Sequence, residues 1–474
     1  MKTTTTFSCS HIRALVFSCI VLFCCMQAVY AQPVTLDPTF GKNGMIVIPN
    51  DGAILRIKFD LASNIYALGS DPSSNGELFI VKTDANGTID SSFGINGITP
   101  LNIFDALTFD FKITNENKIL FVGSKLYATT CIIQLNEDGS LDTSFGNNGE
   151  IVFHSHDCDN SVNIESDDFI LIGGESSITK FNYNGELDHG FGIGGRVILE
   201  NIGLPDYSPA VCIKTSNDQS IFVAGYSHMD NMKSLLWLLK MNPNGNLVTN
   251  FANNGIWEKE FIGYSVYFDN FLEDQNGNIL LTGSNTKAFM CSFFSNGIIN
   301  SNFGTGGFSY FDELQAQYDL KIPLQYGNKY LIGDYDKLIC VKNDGSVDNS
   351  FNNTGSFTCD NYTFFDMKLQ GTDKLILGGR SSNGNFLLTR LNIPPAVSVQ
   401  QFDNPTHAIT IFPNPAKDYL YFSNESSFEI MDIQGRILLK SEGATQTVNV
   451  SHLKAGIYFI KFEGDNRVVK FIKQ

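Results

Sequence analysis

One short turn, in which a phenylalanine is followed four residues later by a glycine, recurs seven times along this chain in the same setting. The phenylalanines are Phe40, Phe93, Phe145, Phe191, Phe251, Phe303 and Phe351, and the glycines are Gly44, Gly97, Gly149, Gly195, Gly255, Gly307 and Gly355. The shared form is clear in "LDPTFGKNGMIVI" from Leu36, "LDTSFGNNGEIVF" from Leu141 and "LDHGFGIGGRVIL" from Leu187. Successive phenylalanines stand 53, 52, 46, 60, 52 and 48 residues apart. A period near ~50 residues belongs to propellers and arrays, whose units cannot bury their faces alone and must stack.

The residue types in this turn have a mechanical logic. An aspartate two to four residues before the phenylalanine can cap a turn with its carboxylate, the glycine after the ring can take positive φ, and the second glycine releases the chain into a strand. The phenylalanine is the one large apolar group present. It reads as a plug between neighbouring units, contributing about 2 to 3 kcal/mol per copy by area. The alternative, a ring of exposed phenylalanines forming a ligand surface, requires contiguous exposed aromatics, which soluble proteins avoid.

Three further segments recur between turns. They are "AILRIKFDL", "NIYALGS" and "ELFIVKT" in the first unit, and "LTFDFKIT", "KILFVGS" and "CIIQLNE" in the second. The third ends in "DANG", "NEDG", "NYNG", "NPNG", "FSNG" or "KNDG", turns suited to reversals between antiparallel strands. With the strand after the phenylalanine, each unit has four short strands, and no sustained helical period appears. Seven such units predict an all-β chain built on a seven-bladed β-propeller. A β-solenoid is the competing reading, but antiparallel turns would break its parallel ladders. The first post-phenylalanine strand, Met45 to Ile48, has no preceding set of three, and the last set, ending near Leu391, has no strand after it. The two should pair and close the ring.

The whole pattern, an apolar "xILxxG" strand, an aromatic strand and "N-x-DG-S-L-D-x-x-FG-x-x-G", resembles the delta-60 repeat, a β-propeller repeat of secreted bacterial proteins. "LNEDGSLDTSFGNNG" from Leu135 and "VKNDGSVDNSFNNTG" from Val341 match it best. The resemblance runs from about Leu36 to Asn392. Ala252 and Asn352 depart from it by replacing the glycine after the phenylalanine, and the third unit is short; these departures bear on local turn geometry.

Residues 1–31 read as a secretory signal peptide cleaved after Ala31: Lys2, His11 and Arg13 precede the apolar run "ALVFSCIVLFCCM", and Val29 and Ala31 supply small residues. A membrane anchor is the alternative, but the run is shorter than the ~20 residues that span a bilayer, and no transmembrane segment is expected later. Six cysteines then remain: Cys131, Cys158, Cys212, Cys291, Cys340 and Cys359. Their wide spacing lacks any CxxC pair and gives no support to structural zinc. Cys131, Cys291 and Cys340 sit in apolar runs and read as small buried hydrophobes; an isolated disulfide stays open as an alternative.

Loss of Lys2 and Arg13 takes the formal charge from −17 to −19, nearly all of it between residues 32 and 407. Such acidity repels nucleic acid and aids solubility, so no nucleic-acid partner is expected. The repeat region is placed at 32–391. After it, residues 392–407, with Pro394, Pro395 and Pro405, form a linker, and residues 408–474 alternate short strands and turns as a small immunoglobulin-like β-sandwich.

Within that tail, "FPNPAKDYL", "IMDIQGRIL", "VSHLKAGIYFIKF" and a basic last strand resemble the type A C-terminal sorting domain of the type IX secretion system of Bacteroidetes. The matching positions are Pro413, Asn414, Pro415, Gly435, Arg436, Leu453, Gly456, Tyr458 and Lys470. The resemblance implies partnership with the type IX secretion machinery, passage across the outer membrane, frequent cleavage of the tail, and a secreted or cell-surface location.

Catalytic constellations are missing: there is no GxSxG, HExxH or Walker loop, so no catalytic, cofactor-binding or metal residues are assigned and no organic cofactor is expected. Two local clusters invite a metal reading. His154, His156, Asp157 and Cys158 lie together in "HSHDCD", and Asp274, Asn276 and Asn278 in "EDQNGN" resemble a calcium loop with a misplaced glycine. Ordinary strand-end and hairpin polar residues account for both. The repeat region's four histidines, His154, His156, His189 and His228, share no register between units. Loop lengths vary on a rigid frame, which is how recognition surfaces are built. The expected function is an extracellular binder of a glycan or protein, without catalysis; the alternative is a propeller hydrolase or lyase whose residues come from several units.

Overall fold

A computed structural model describes residues 33–71, 76–101, 109–125, 129–154, 159–163, 169–182, 185–216, 218–229, 233–314, 322–395, 411–412, 416–432, 436–441, 443–462 and 468–474. The leader and Ala31, the linker from 396 to 407, and His156, Asp157 and Cys158 lie outside the described residues. The chain divides into two compact units, Met1–Ser398 and Val399–Gln474.

Among the described residues the first unit contains no α-helix and seven antiparallel sheets. The first sheet, Ala53–Phe59, Ile65–Asp71, Glu77–Thr83 and Ile98–Pro100, sets the pattern for the rest. Strand 1 of each sheet packs beside strand 1 of the next, and the last sheet packs on the first, so the seven form a closed ring with the first strands at its axis. Strands 2 and 3 are buried almost throughout, as in Phe169–Gly174 and Ala288–Phe293. Covered on both faces by neighbouring sheets, they read in sequence as continuous apolar runs.

The glycine of the "ILxxG" strand is required by the axial strand beside it. A bulge interrupts that strand between Ile54 and Arg56, Ala210 and Cys212, Phe268 and Asn270, and Phe364 and Asp366. It presses a carbonyl onto the glycine: a Cβ on Gly225 would stand 2.1 Å from the Pro209 oxygen, and one on Gly379 1.9 Å from that of Thr363. No other residue fits there.

The ring closes as the order of its segments predicts. Met45–Asp51 pairs with Asn385–Asn392 in the register Met45 to Thr389 and Ile48 to Phe386. Thr35–Leu36 adds a further pairing on the same strand, opposite Asn392 and Leu391. The seventh sheet is thus Tyr362–Gln370, Lys374–Ser381 and Asn385–Asn392 completed by the N-terminal segment, which removes an open edge.

The second unit has two antiparallel sheets. One is Ile411–Phe412, Tyr419–Ser426 and Thr445–Asn449; the other is Ile437–Lys440, Phe428–Met431, Gly456–Phe462 and Val468–Lys473. Leu420, Phe422 and Val448 from the first pack on Phe428, Ile430, Ile460, Phe462 and Phe471 from the second. That shared core makes a small sandwich.

Candidate ligand-binding face and sorting domain

All seven turn phenylalanines are buried. Each joins side chains from two successive sheets: Phe93 lies with Tyr66 and Leu68 of one and Phe111 and Phe121 of the next. Phe303 lies with Leu280 and Met290 on one side and Tyr330 and Ile339 on the other. The ring edge rests on the next unit's Asx-Gly turn, so that a Cβ on Gly87, Gly139 or Gly297 would come within 2.8 to 2.9 Å of Phe40, Phe93 or Phe251. The N–H after the phenylalanine donates into the same turn, from Gly41 to the Asn86 oxygen at 2.8 Å, Gly94 to Asp138 at 2.7 Å and Gly304 to Asp344 at 2.7 Å. These residues are joints between sheets and leave no aromatic ring for a ligand.

Turn geometry survives both departures from the repeat. Ala252 takes φ +45° and Asn352 +49°, beside +51° to +55° for the glycines at Gly41, Gly94, Gly146, Gly192 and Gly304. Ala252 keeps the joint, its N–H donating to the Asn296 oxygen at 2.7 Å. The Asn352 turn changes further on, where Phe351–Asn353 forms a 3-10 turn and the Asn352 side-chain oxygen accepts the Val34 N–H. No Asx-Gly turn follows the last sheet, and Val34 and Ile393 fill that place.

The turn aspartates act as caps and as charges. Asp142 Oδ1 accepts from the Ser144 N–H and hydroxyl, while Oδ2 meets Lys118 Nζ at 2.8 Å. The Lys118 ammonium and the Ser144 hydroxyl hold this carboxyl down at about 2. At Asp37 burial pushes the carboxyl up, but hydrogen bonds from Thr39, with Lys374 and Arg390, outweigh it and hold it at about 2. A cation from strand 3 often also covers a plug: Lys82 lies over Phe93, Lys180 over Phe191 and Arg390 over Phe40.

The ring has two unlike faces. Among the described residues, one holds the phenylalanine turns and the hairpins between strands 1 and 2. The other holds the described hairpins between strands 2 and 3 and the described sheet-to-sheet connections, which run from the single residue Gly52 to the stretch 199–209. On this variable face Tyr226, His228 and Tyr267 meet edge to face, with centroids 5.1, 5.6 and 5.7 Å apart. His228 is exposed, Tyr267 is 38% exposed and Tyr226 is half-buried. The Ser234 hydroxyl sits 3.1 Å from His228 Nδ1 and orients the imidazole. Exposed Tyr207, Ile262 and Tyr264 stand at the ends of or within the flanking connections.

Other candidates resolve into structural roles. Asp274 Oδ1 accepts from the Asn276 and Asn278 N–H groups, and Oδ2 from the Asn278 amide and the Tyr330 hydroxyl, so its lone pairs serve the hairpin. Among the described residues no three His, Cys, Asp or Glu side chains come together as a metal set. Cys131, Cys291, Cys340 and Cys359 are buried free thiols and Cys212 is half-buried; burial pushes Cys340 and Cys359 up to about 12. On the axial strands Asp110 and Asp366 accept backbone N–H groups and meet Lys58 and Lys368.

In the second unit, Pro413, Asn414, Pro415 and Gly435 lie outside the described residues. Arg436 closes a turn on Asp432, through its N–H at 3.0 Å and Nε at 2.7 Å. Leu453 packs on the sandwich core. The Tyr458 hydroxyl donates to the Lys454 oxygen at 2.9 Å and its ring stacks on Phe471. Gly456 opens its strand opposite Lys473, and Lys470 pairs opposite Phe459. Ala416, just after the proline segment, exchanges hydrogen bonds with the last strand.

The family described as "Secretion system C-terminal sorting domain" matches residues 410–474. The family described as "Domain of unknown function (DUF5122) beta-propeller" matches residues 117–145, from a strand 1–2 hairpin to a phenylalanine turn. No curated protein matches the chain. Among solved structures, PorZ, an essential bacterial surface component of the type IX secretion system of Porphyromonas gingivalis, aligns at 12% identity and a TM-score of 0.42 over 90% of this chain. The chain spans 60% of the length of that protein. The WD40 domain of Neurospora crassa Pan2 aligns at 10% identity and a TM-score of 0.43, over 77% of this chain and 97% of its own. The C-terminal WD40 domain of Sif2 aligns at 12% and 0.41, over 72% and 81%. The ring is established by its own strand pairing, and among the described residues no helix is long and apolar enough to cross a membrane. The chain is a β-propeller protein ending in a type IX C-terminal sorting domain, the segment that engages the secretion machinery and marks it for the cell surface or for secretion.

Proposed function

We propose that the exported ring is a recognition module that binds a glycan or a protein through its variable face, at Tyr226, His228 and Tyr267. The observation that carries this reading is the aromatic cluster itself, solvent-facing and assembled from two sheets, on the face where connection lengths differ. Rings that present an apolar body and a polar tip are suited to stacking and hydrogen bonding at one surface. Recognition of this kind uses no organic cofactor. An enzymatic reading requires an acid and a base free to converge on a substrate, and Asp110 and Asp366 on the axial strands are instead spent on backbone amides and lysines.

The test is a glycan array and a hydrolase substrate panel probed with the mature chain, with and without calcium. Saturable binding that Tyr267→Ala and Tyr226→Ala each weaken by tenfold or more, about 1.4 kcal/mol, supports the proposal. Reproducible turnover that stops when one axial carboxylate is changed sinks it.

A further inference from the structure

An asparagine followed by glycine is the dipeptide most prone to lose ammonia, because no side chain shields the glycine nitrogen. The ring repeats this pair. Four copies end phenylalanine turns, Asn43–Gly44, Asn96–Gly97, Asn148–Gly149 and Asn254–Gly255. Three form the turns on which a neighbouring phenylalanine rests, Asn86–Gly87, Asn244–Gly245 and Asn296–Gly297. Two more lie in hairpins, Asn276–Gly277 between strands 1 and 2 of one sheet and Asn383–Gly384 between strands 2 and 3 of another. In all of these the asparagine is exposed.

The reaction needs the glycine nitrogen. That nitrogen attacks the asparagine Cγ, its proton passes to solvent, and the side-chain nitrogen leaves as ammonia. The cyclic imide then takes up water and opens to aspartate or isoaspartate, with no change of oxidation state. A nitrogen whose N–H is engaged with a backbone oxygen is a poor nucleophile, and each of these glycines is so engaged. In the phenylalanine turns the acceptor is the phenylalanine's own oxygen, 2.7 to 2.8 Å from the nitrogen of Gly44, Gly97, Gly149 or Gly255. In the other turns it is the oxygen three residues back, at 2.8 to 3.1 Å.

A second barrier is steric. To reach Cγ the glycine's peptide must turn, and a packed glycine cannot. In eight of the pairs the glycine is buried, and the atom nearest to an added Cβ would stand 2.2 to 3.0 Å away. Gly384 is held in this way at the ring closure, where its oxygen also accepts the Gly52 N–H at 2.8 Å. Gly277 is the exception. It is half-buried, and the nearest atom to its added Cβ would be the Ser295 Cβ at 3.4 Å. Its hairpin joins two strands of one sheet, at the pair Glu273 and Ile279, so it can fray without a joint between sheets moving.

We propose that Asn276 is the deamidation site of the folded ring, and that the other pairs react only when the packing around them opens. The consequence of opening is then chemical. Isoaspartate adds a methylene to the main chain. The carbonyls of Asn86, Asn244 and Asn296 accept the N–H that follows a phenylalanine, from Gly41, Gly192 and Ala252 at 2.7 to 2.8 Å. A modified turn no longer presents that carbonyl in place, so an opened joint cannot re-form and local unfolding becomes irreversible.

Peptide mapping by mass spectrometry, with isoaspartate resolved from aspartate, tests this on the mature chain held at mildly alkaline pH in buffer and in urea. In urea all nine pairs should convert at similar rates. In buffer Asn276 should convert first, and Asn86, Asn244 and Asn296 about tenfold or more slowly than in urea, a factor set by how seldom each turn opens. Phe251→Leu, which loosens one joint, should speed conversion at Asn296 and leave Asn86 and Asn244 unchanged. Melting curves establish that this variant is folded, and if it is not, the wild-type order decides alone. Conversion of another pair ahead of Asn276 in buffer, or of the three joint pairs at the rate seen in urea, overturns the proposal, as does an unaltered Asn296 rate in folded Phe251→Leu.

Discussion

Arg390 donates to Asp37 across the ring closure, Nε to Oδ2 at 2.8 Å, with both side chains no more than 6% exposed. The same guanidinium reaches the Thr39 hydroxyl, the Gln370 side chain and the Ala85 carbonyl of the neighbouring sheet. One residue therefore ties the N-terminal segment, the last sheet and the first sheet together. Removing one member of a buried pair costs about 3 to 5 kcal/mol when the other charge is left alone; Lys374 stays 3.2 Å from Asp37 Oδ2, which places the loss here at or below the lower end of that range. Arg390→Met should lower the unfolding free energy of the ring by about 2 to 3 kcal/mol, read from chemical denaturation, while Arg436→Met in the exposed pair with Asp432 should leave the second unit's stability within about 1 kcal/mol.

Strong acid should weaken the closure. The Asp37 carboxyl is held below its ordinary value of 3.8, at about 2. A depressed carboxyl contributes stability that is fully present above the ordinary value and is lost as pH falls through the folded one. The contribution of Asp37 should therefore vanish between about pH 4 and pH 2. In Asp37→Asn the corresponding part of the acid limb should be missing from a plot of stability against pH. A limb of unchanged steepness would contradict the assignment.

Much of this architecture was legible in the sequence, because its constraints are local and repeated. Phenylalanine plugs, aspartate caps and positive-φ glycines recur at fixed spacing, and the leftover strand at Met45 pointed to the closure. The lysines that complete the turns were not legible: Lys118 stands 24 residues before Asp142 and Lys329 19 before Asp348, whereas Lys82 lies on strand 3 close to Asp90. The same physical role is filled from different strands, so no spacing repeats. Tyr226, His228 and Tyr267 were hidden for a related reason, since they meet through strand ends of two sheets that no turn motif marks.

Ala252 is a place where the natural residue is not the most stable one. Its φ of +45° is left-handed, which costs a residue with a Cβ about 1 to 2 kcal/mol and glycine almost nothing. Glycine's greater freedom in the unfolded chain returns about 0.4 to 1 kcal/mol of this. Ala252→Gly should thus raise stability by roughly 0.5 to 1 kcal/mol, read as a higher melting temperature. A fall would show that the alanine methyl makes contacts worth more than the strain.

The plugs should be among the most sensitive positions in the ring. Phe93 meets Tyr66 edge to face at 6.0 Å and is fully buried between two sheets. Phe93→Ala should cost about 3 to 5 kcal/mol, transfer and cavity together. Phe294, 42% exposed beside another unit's Asx-Gly turn, is the control, and Phe294→Ala should lie within about 0.5 kcal/mol of wild type. Equal losses at the two positions would mean that the joint between sheets is not where the energy lies.

Processing of the exported chain should respect the ends of the ring. At the N-terminal side Val34 is 5% exposed and its N–H donates to Asn352, so trimming past the expected start at Gln32 should stop before it. At the other side Ile393 is 3% exposed, its N–H donates to the Asp373 oxygen at 2.9 Å, and the Tyr326 hydroxyl donates to the Pro394 carbonyl. A protease must draw several residues into extended form, and these are held by core and hydrogen bonds. Cleavage that separates the sorting domain should therefore fall beyond Pro395. Mass spectrometry of the released or surface form should give a ring that begins no later than Val34 and ends at or after Pro395. A stable species ending before Leu391 would remove the strand that pairs with Met45–Asp51, and its recovery would show that the closure is dispensable.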